Sequence, residues 1–205
     1  MPPLPRVAVL LSGRGSNLRA LLDHGNALGA TVVGAIASRS DARGLRIARE
    51  RGIPTAINQR ADHPTRRDAD AAIVSRLQAW QVEWVVLAGW MRILDDVVLK
   101  AFPGHVVNIH PSLLPAFPGL HPQRQALAAG AERTGCSVHL VVPGPVDGGP
   151  ILAQAAVPIL PGDDEESLSG RILEREHELY PRTVSRLVRG HHAAEVRQAE
   201  LLTVP

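Results

Sequence analysis

A single cysteine, Cys136, stands in the 205 residues, so no intrachain disulfide can form and a secreted fold built on a disulfide framework is excluded. Aromatic residues make up only 3% of the chain, and the stacking platform that single-strand nucleic-acid binders present to bases is missing. No apolar run approaches the roughly 20 residues that span a bilayer as a helix. The run Val7 to Leu11 is also too short for a signal-peptide core. A large excess of one charge is absent too: the formal net charge is +2, and the only adjacent basic pair is Arg66-Arg67. Such a charge distribution suits a small anionic ligand better than a polyanion. These absences predict small-molecule substrates, no nucleic-acid or membrane partner, and a cytoplasmic location.

What is present fits one globular domain over 1–205, with 45% hydrophobic and 20% charged residues and no repeat or linker. Val/Ile-rich runs alternate with amphipathic stretches, which predicts an α/β fold: a mostly parallel central sheet, Rossmann-like, with helices on both faces. Strands are expected at Val7–Leu11, Thr31–Ile36, Thr55–Ile57, Trp84–Leu87, His105–Asn108, Ser137–Val142 and Ile151–Val157, the last two placed to pair with each other. A first helix begins near Ser16 or Asn17, either of which could be its N-cap. Others are expected at Leu45–Arg51, stopped by Gly52, and at Thr65–Gln81, opened by Thr65 and Asp68 as a capping box. Shorter ones follow at Asp95–Ala101 and Gln123–Ala129. A long helix from Asp163 to Val188 should be bent or interrupted at Pro181, which lacks a backbone donor. The last fifteen residues carry little signal.

Three segments carry chemistry. Asn108-Ile109-His110 closes an apolar strand, and strand alternation puts an amide and an imidazole on one face, a pair suited to stabilising the oxyanion of acyl transfer. The loop Ser12-Gly13-Arg14-Gly15-Ser16-Asn17 joins a strand to a helix, where backbone N–H groups and the helix dipole form a phosphate cradle. It is neither a P-loop nor the dinucleotide fingerprint, since no Gly-Lys-Ser/Thr follows and position 18 is Leu; a phosphate monoester fits it best. A rigid glycine- and proline-rich loop, Val142 to Ile151, holds the lone carboxylate Asp147. Near His110 that carboxylate would orient the imidazole and favour its charged form. Taken singly, each segment has an ordinary counterpart as a scaffold joint, a glycine-rich turn or an Asp-Gly turn. His139 reads as a satisfied core histidine. His110, His121 and His139 lack the spacing of a zinc site, so no metal is expected.

The loop Ser12 to Asn17, the run Leu87-Ala88-Gly89-Trp90-Met91-Arg92-Ile93-Leu94, the stretch Asn108 to Pro115 with Gly119, and Asp147-Gly148-Gly149-Pro150 occur in an order that resembles the phosphoribosylglycinamide formyltransferases, a folate-dependent formyltransferase family. The similarity runs from about Val7 to Pro181. It implies transfer of a formyl group from the cosubstrate 10-formyltetrahydrofolate to the amine of 5′-phosphoribosylglycinamide, in purine biosynthesis, by direct amine attack without metal. It implies Asn108, His110 and Asp147 as the catalytic trio. Gly13, Arg14, Gly15, Ser16 and Asn17 would hold the 5′-phosphate, and Glu176 would contact the glycinamide substrate. Leu87, Met91, Arg92, Ile93 and Leu94, with Asn108, Val142 and Asp147, would line the folate pocket. The half around 1–100 would thus bind phosphate, and that around 101–190 would carry the catalytic and folate-facing groups. Monomer and homodimer both remain open. Two departures from the family pattern stand out: Arg14 replaces an Asn found in some relatives, and the spacing from His139 to Asp147 is one residue longer, with the excess expected to be absorbed near Gly144. The rivals are formyltetrahydrofolate hydrolase, which usually adds an N-terminal regulatory domain; methionyl-tRNA formyltransferase, whose further C-terminal RNA-binding domain 205 residues leave no room for; and a non-catalytic nucleotide-binding module.

Overall fold

The computed structural model describes residues 3–190; the last fifteen residues lie outside the described part. In chain order the elements are β1 (Arg6–Leu11), α1 (Ser16–Asp23), β2 (Thr31–Ala37), α2 (Gly44–Glu50), β3 (Thr55–Ile57), α3 (Arg66–Ala79), β4 (Trp84–Leu87), α4 (Asp96–Ala101), β5 (Val106–His110), α5 (Pro122–Ala128), β6 (Arg133–Leu140), β7 (Ile151–Pro158) and α6 (Glu165–Val188). One seven-stranded sheet runs β3-β2-β1-β4-β5-β6-β7. Its first five strands pair in parallel, and β6 and β7 join antiparallel, as the α/β reading expects.

Alternation on the strands builds two apolar layers. Val7, Val9 and Leu11 of β1 pack with Leu18, Leu21, Leu45, Ile172, Tyr180 and Val184 from α1, α2 and α6. Ala8 and Leu10 pack on the opposite face with Ile73, Leu77, Val98 and Phe102 from α3 and α4. Each large apolar side chain so buried contributes on the order of 2 kcal/mol relative to exposure. Tyr180 anchors α6 beneath the sheet, where its hydroxyl is shared between the Leu87 carbonyl at 2.8 Å and the Val107 carbonyl at 3.1 Å. The chain order reverses between β1 and β4, and in open α/β sheets ligands bind at the carboxyl ends of strands beside such a switch point. Loops 12–15, 88–95 and 111–121 all leave β1, β4 and β5 at that edge. No helix among the described residues is long and apolar enough to cross a membrane.

The Thr65–Asp68 capping box forms as expected, and Gly52 sits at φ +68° behind α2. Three local expectations fail. The residue before α1 is Gly15, in the left-handed region, with no side-chain cap; Ser16 and Asn17 are both inside the helix. Of the bend or interruption expected at Pro181, the interruption does not occur: α6 is one helix through this residue, which is itself buried with Tyr180 and Val184, and tertiary packing outweighs one lost backbone bond. β5 reaches His110 and β6 begins at Arg133 and stops at Leu140, because antiparallel pairing carries the ladder from Val107↔Leu140 to His110↔Ser137. Val141 and Val142 therefore belong to the loop that follows.

Candidate active site

Asn108 and His110 project from the same face of β5, and the register sets Asn108 directly opposite His139 of β6. The Asn108 side-chain amide lies 3.1 Å from His139 Nε2. Asp147 comes over both histidines: its Oδ2 is 3.4 Å from His110 Nδ1 and its Oδ1 is 3.5 Å from His139 Nε2. The Gly119 N–H donates to the same Oδ2 at 2.8 Å. Residues separated in sequence thus converge as Asn108, His110, His139 and Asp147. Among the described residues no group of three or more His, Cys, Asp or Glu side chains is placed to hold a metal ion.

Asp147 is held at φ +56°, a left-handed conformation that Asp tolerates better than most residues but that recurs at functional positions. Its loop is pinned at the base: the Leu140 N–H donates to the Pro150 carbonyl at 2.9 Å, and a Cβ on Gly149 would stand 1.8 Å from the Leu140 oxygen. Gly144, where the longer spacing was expected to be absorbed, is exposed at φ +136°.

Both His110 nitrogens face acceptors, since Nε2 lies 2.9 Å from the Phe117 carbonyl and Nδ1 faces Asp147. A doubly protonated ring satisfies both. Burial nevertheless pulls the His110 pKa below its ordinary value, against the Phe117 carbonyl and the Asp147 charge, which raise it. Burial works to raise the Asp147 pKa, but hydrogen bonds from His139 and the Gly119 N–H, together with the charge of His110, hold it below the usual carboxylate range. His139 was missed as a site residue. Its Nδ1 faces the Leu140 carbonyl at 3.0 Å, which calls for a proton on Nδ1. Nε2 then accepts from Asn108 when the ring is neutral and donates to Asp147 when it is charged. The sequence signal for it was alternation: in a strand with Cys136 and Val138 facing the core, Ser137 and His139 must face the other way.

In the loop from Ser12 to Asn17, Gly13 and Arg14 are exposed while Gly15 and Asn17 are buried. Gly15 is required by its φ of +76° and by Gly44, whose Cα would lie 2.5 Å from an added Cβ; the close approach seats the loop on the start of α2. The first-turn N–H groups of α1 have no side-chain cap and remain available to an anion. Beside them a cleft of about 580 Å³ is lined by Arg14, Ser16, Arg19 and His177, among others. Glu176 is only 4% exposed and accepts a hydrogen bond from Asn17 Nδ2 at 2.7 Å. Burial pushes its pKa up to about 7. It thus meets the loop through Asn17 rather than standing open in the cleft.

Along the run after β4, side chains alternate. Met91 and Ile93 are exposed, Leu94 packs partly against the α3/α4 layer, and Leu87 is buried in that layer at the end of β4. The Arg92 guanidinium turns inward to Asp70 and Asn58. Val142 is half-buried at the root of the Asp147 loop. The run after β4 and the loop after β1 are joined by Ser12, whose N–H donates to Gly89 O at 3.0 Å and whose hydroxyl accepts from the Met91 N–H at 2.9 Å.

The Formyl transferase family model matches residues 5–184. The phosphoribosylglycinamide formyltransferase of Escherichia coli (strain K12) is 41% identical over 181 residues, covering 87% of this chain and 85% of that protein. That of Mycobacterium tuberculosis is 46% identical over 182 residues, with 89% and 84% covered. The trifunctional purine biosynthetic protein adenosine-3 of Drosophila pseudoobscura is 48% identical over 92% of this chain, which spans only 14% of that longer protein. Among solved structures, glycinamide ribonucleotide transformylase 1 from Symbiobacterium toebii superimposes with a TM-score of 0.89 at 48% identity, over 91% of this chain and 89% of that one. Fold, matched residues and likeness to these enzymes agree: the chain belongs to the formyl transferase family.

Proposed function

We propose that this protein transfers the formyl group of 10-formyltetrahydrofolate to the amine of 5′-phosphoribosylglycinamide, a step of purine biosynthesis. The observation that carries the reading is the convergence of Asn108, His110 and Asp147 at the carboxyl edge of the sheet, beside a loop built for one phosphate. Gly13 to Asn17 hold the 5′-phosphate with backbone N–H groups and the α1 dipole, and Arg14 adds a cation. Glu176 acts on that side through Asn17, whose side-chain amide it fixes from beneath the loop. Met91 to Leu94 form one folate wall, with Leu87 supporting it from the core, and Val142 and Asp147 face it from the loop.

The neutral amine attacks the formyl carbon. A C–N bond forms, the carbonyl π electrons move to oxygen, and the oxyanion is met by the Asn108 amide and a His110 N–H. In the structure His110 Nε2 lies 2.9 Å from Phe117 O, so its N–H turns to the oxyanion as that carbonyl gives up the contact. Each such donor supplies on the order of 3 kcal/mol of transition-state stabilisation. Asp147 orients His110 and favours its charged form against the burial that disfavours it, and with water carries the proton lost by the amine toward N10 of the folate. The C–N10 bond then breaks, N10 takes a proton, and no net proton is consumed.

Purified protein incubated with 10-formyltetrahydrofolate, with and without the ribonucleotide, tests this. Formyl loss that requires the ribonucleotide, with stoichiometric N-formylation, is expected; equal loss without it would make the protein a hydrolase, and no loss in either mixture would leave a binding module.

A further inference from the structure

Asp70 lies on α3 with no exposed surface, between Ala69 and the apolar residues Ile73 and Val74 of the same buried face. An ionisable carboxyl there carries a desolvation cost that an apolar residue would avoid, so its presence calls for a use. Its two oxygens grip the two ends of one tetrapeptide. Oδ1 accepts from Arg92 Nη2 at 2.6 Å, and Oδ2 accepts from the Asp95 backbone N–H at 2.7 Å. Between those ends lie Ile93, 60% exposed, and Leu94, packed inward.

The guanidinium is secured from its other side as well. Arg92 Nη1 donates to both the Asn58 carbonyl at 2.9 Å and Asn58 Oδ1 at 2.8 Å. Asn58 in turn is tied to the sheet and to α3, its N–H donating to Ala37 O at 2.8 Å and its Nδ2 to Ala69 O at 2.9 Å. The Arg92 side chain also lies over the Trp90 ring, 5.1 Å from its centroid. A segment that is neither helix nor strand from Gly89 to Leu94 is therefore hung on a buried charge pair rather than on a backbone ladder.

We propose that Asp70 is a positioning residue for the folate wall: without touching substrate, it sets the backbone of Arg92–Asp95 through Arg92 and the Asp95 N–H, and so sets affinity for the folate cosubstrate. This rests on the reading that residues 91–94 face the folate. A bidentate clamp on both ends of a short irregular run restricts its conformers before ligand arrives, which raises affinity by lowering the ordering cost of binding.

Asp70→Asn tests it. The amide keeps the shape and can still accept from the Asp95 N–H, but it loses the charge that holds Arg92. The KM for 10-formyltetrahydrofolate should rise about tenfold or more, with the KM for the ribonucleotide and kcat at saturating folate within about threefold. Binding of tetrahydrofolate by calorimetry should weaken in proportion, and amide hydrogen exchange should speed up at 89–95 without a matching rise in β1 or β5. If Asp70→Asn does not yield folded protein, Asp70→Glu carries the test: it keeps the charge but moves the carboxylate away from the Arg92 and Asp95 N–H groups, and the same KM split should appear. Unchanged folate KM, or an equal rise in both KM values with exchange faster throughout, would overturn the proposal. Wild-type protein that shows no folate-dependent turnover would instead overturn the functional reading beneath it, and the exchange measurement on the variant would still decide whether Asp70 orders the segment.

Discussion

Replacing Asp147 by Asn perturbs the site through charge with little change of shape. Asn tolerates the left-handed φ of +56° that this position adopts, and an amide oxygen can still accept from the Gly119 N–H, so the loop should keep its place and the protein its fold. What goes is the negative charge 3.4 Å from His110 Nδ1, in a pair whose side chains are 7% and 10% exposed and thus poorly screened. A carboxylate beside an imidazole favours its charged form, and removing it takes that support from the imidazolium. Loss of the proton-accepting oxygen also removes a general-base contribution of about a hundredfold at the low end. Turnover should therefore fall by about a hundredfold or more, with KM values within a few-fold. Burial already lowers the His110 pKa and Asp147 opposes that; without Asp147 the pKa drops further, the charged ring survives only in more acidic solution, and the pH optimum should move down. The assay is folate-dependent formylation of the ribonucleotide from pH 5 to 9, with thermal melting as the folding control. Turnover within tenfold of wild type, or an unshifted optimum with the melt unchanged, would refute the role assigned to this carboxylate.

His110→Ala should lower turnover at least a hundredfold while leaving substrate binding within a few-fold, because an oxyanion donor acts mainly in the transition state; Asn108→Ala should behave alike, and steady-state kinetics that show only a KM change would sink both. Gly13→Val meets no neighbour within 4 Å, so the variant should fold normally and raise the KM for the ribonucleotide about tenfold by blocking backbone approach to the phosphate. A rise confined to the folate KM would mean the two sites have been exchanged. Glu176, with its pKa pushed up from 4.5 to about 7, binds a proton in the folded state over a range where the unfolded chain has lost it. Its contribution to stability therefore falls as pH rises from about 4.5 to about 7, by about 3 kcal/mol in all. Glu176→Gln should melt higher than wild type at pH 8 and no higher at pH 4.5, and equal melting temperatures at pH 8 would contradict the buried-carboxyl argument.

Much of the architecture was legible because it rests on local regularities. The continuous apolar runs of β1, β4 and the start of β5 and the Thr65–Asp68 capping box are properties of short windows, and the fold reproduces them. The start of α1 was misread because two good capping residues stand beside a glycine whose need came from elsewhere. Gly44 presses on Gly15 across a sequence gap, and no window around residue 15 contains that fact. The break expected at Pro181 rests on the lost donor alone, whereas α6 is held by a buried face reaching Leu87 and Val107 through Tyr180.

The site divides in the same way. Residue order alone determined the chemistry on offer: an Asn-x-His pair on one strand face, a glycine-bearing turn at a helix start, and a lone carboxylate in a stiff loop, in a sequence that fits one family. Which groups meet was decided by tertiary structure. Antiparallel pairing of β5 with β6 set His139 opposite Asn108 and made a residue that reads as core into a neighbour of Asp147. Packing of α6 buried Glu176 against Asn17, and packing of α3 placed Asp70 under Arg92, so that the guanidinium turns inward. The physical reason is range: strand and helix periodicity are read from neighbours in sequence, while hydrogen bonds between buried polar groups depend on which surfaces the hydrophobic layers bring together.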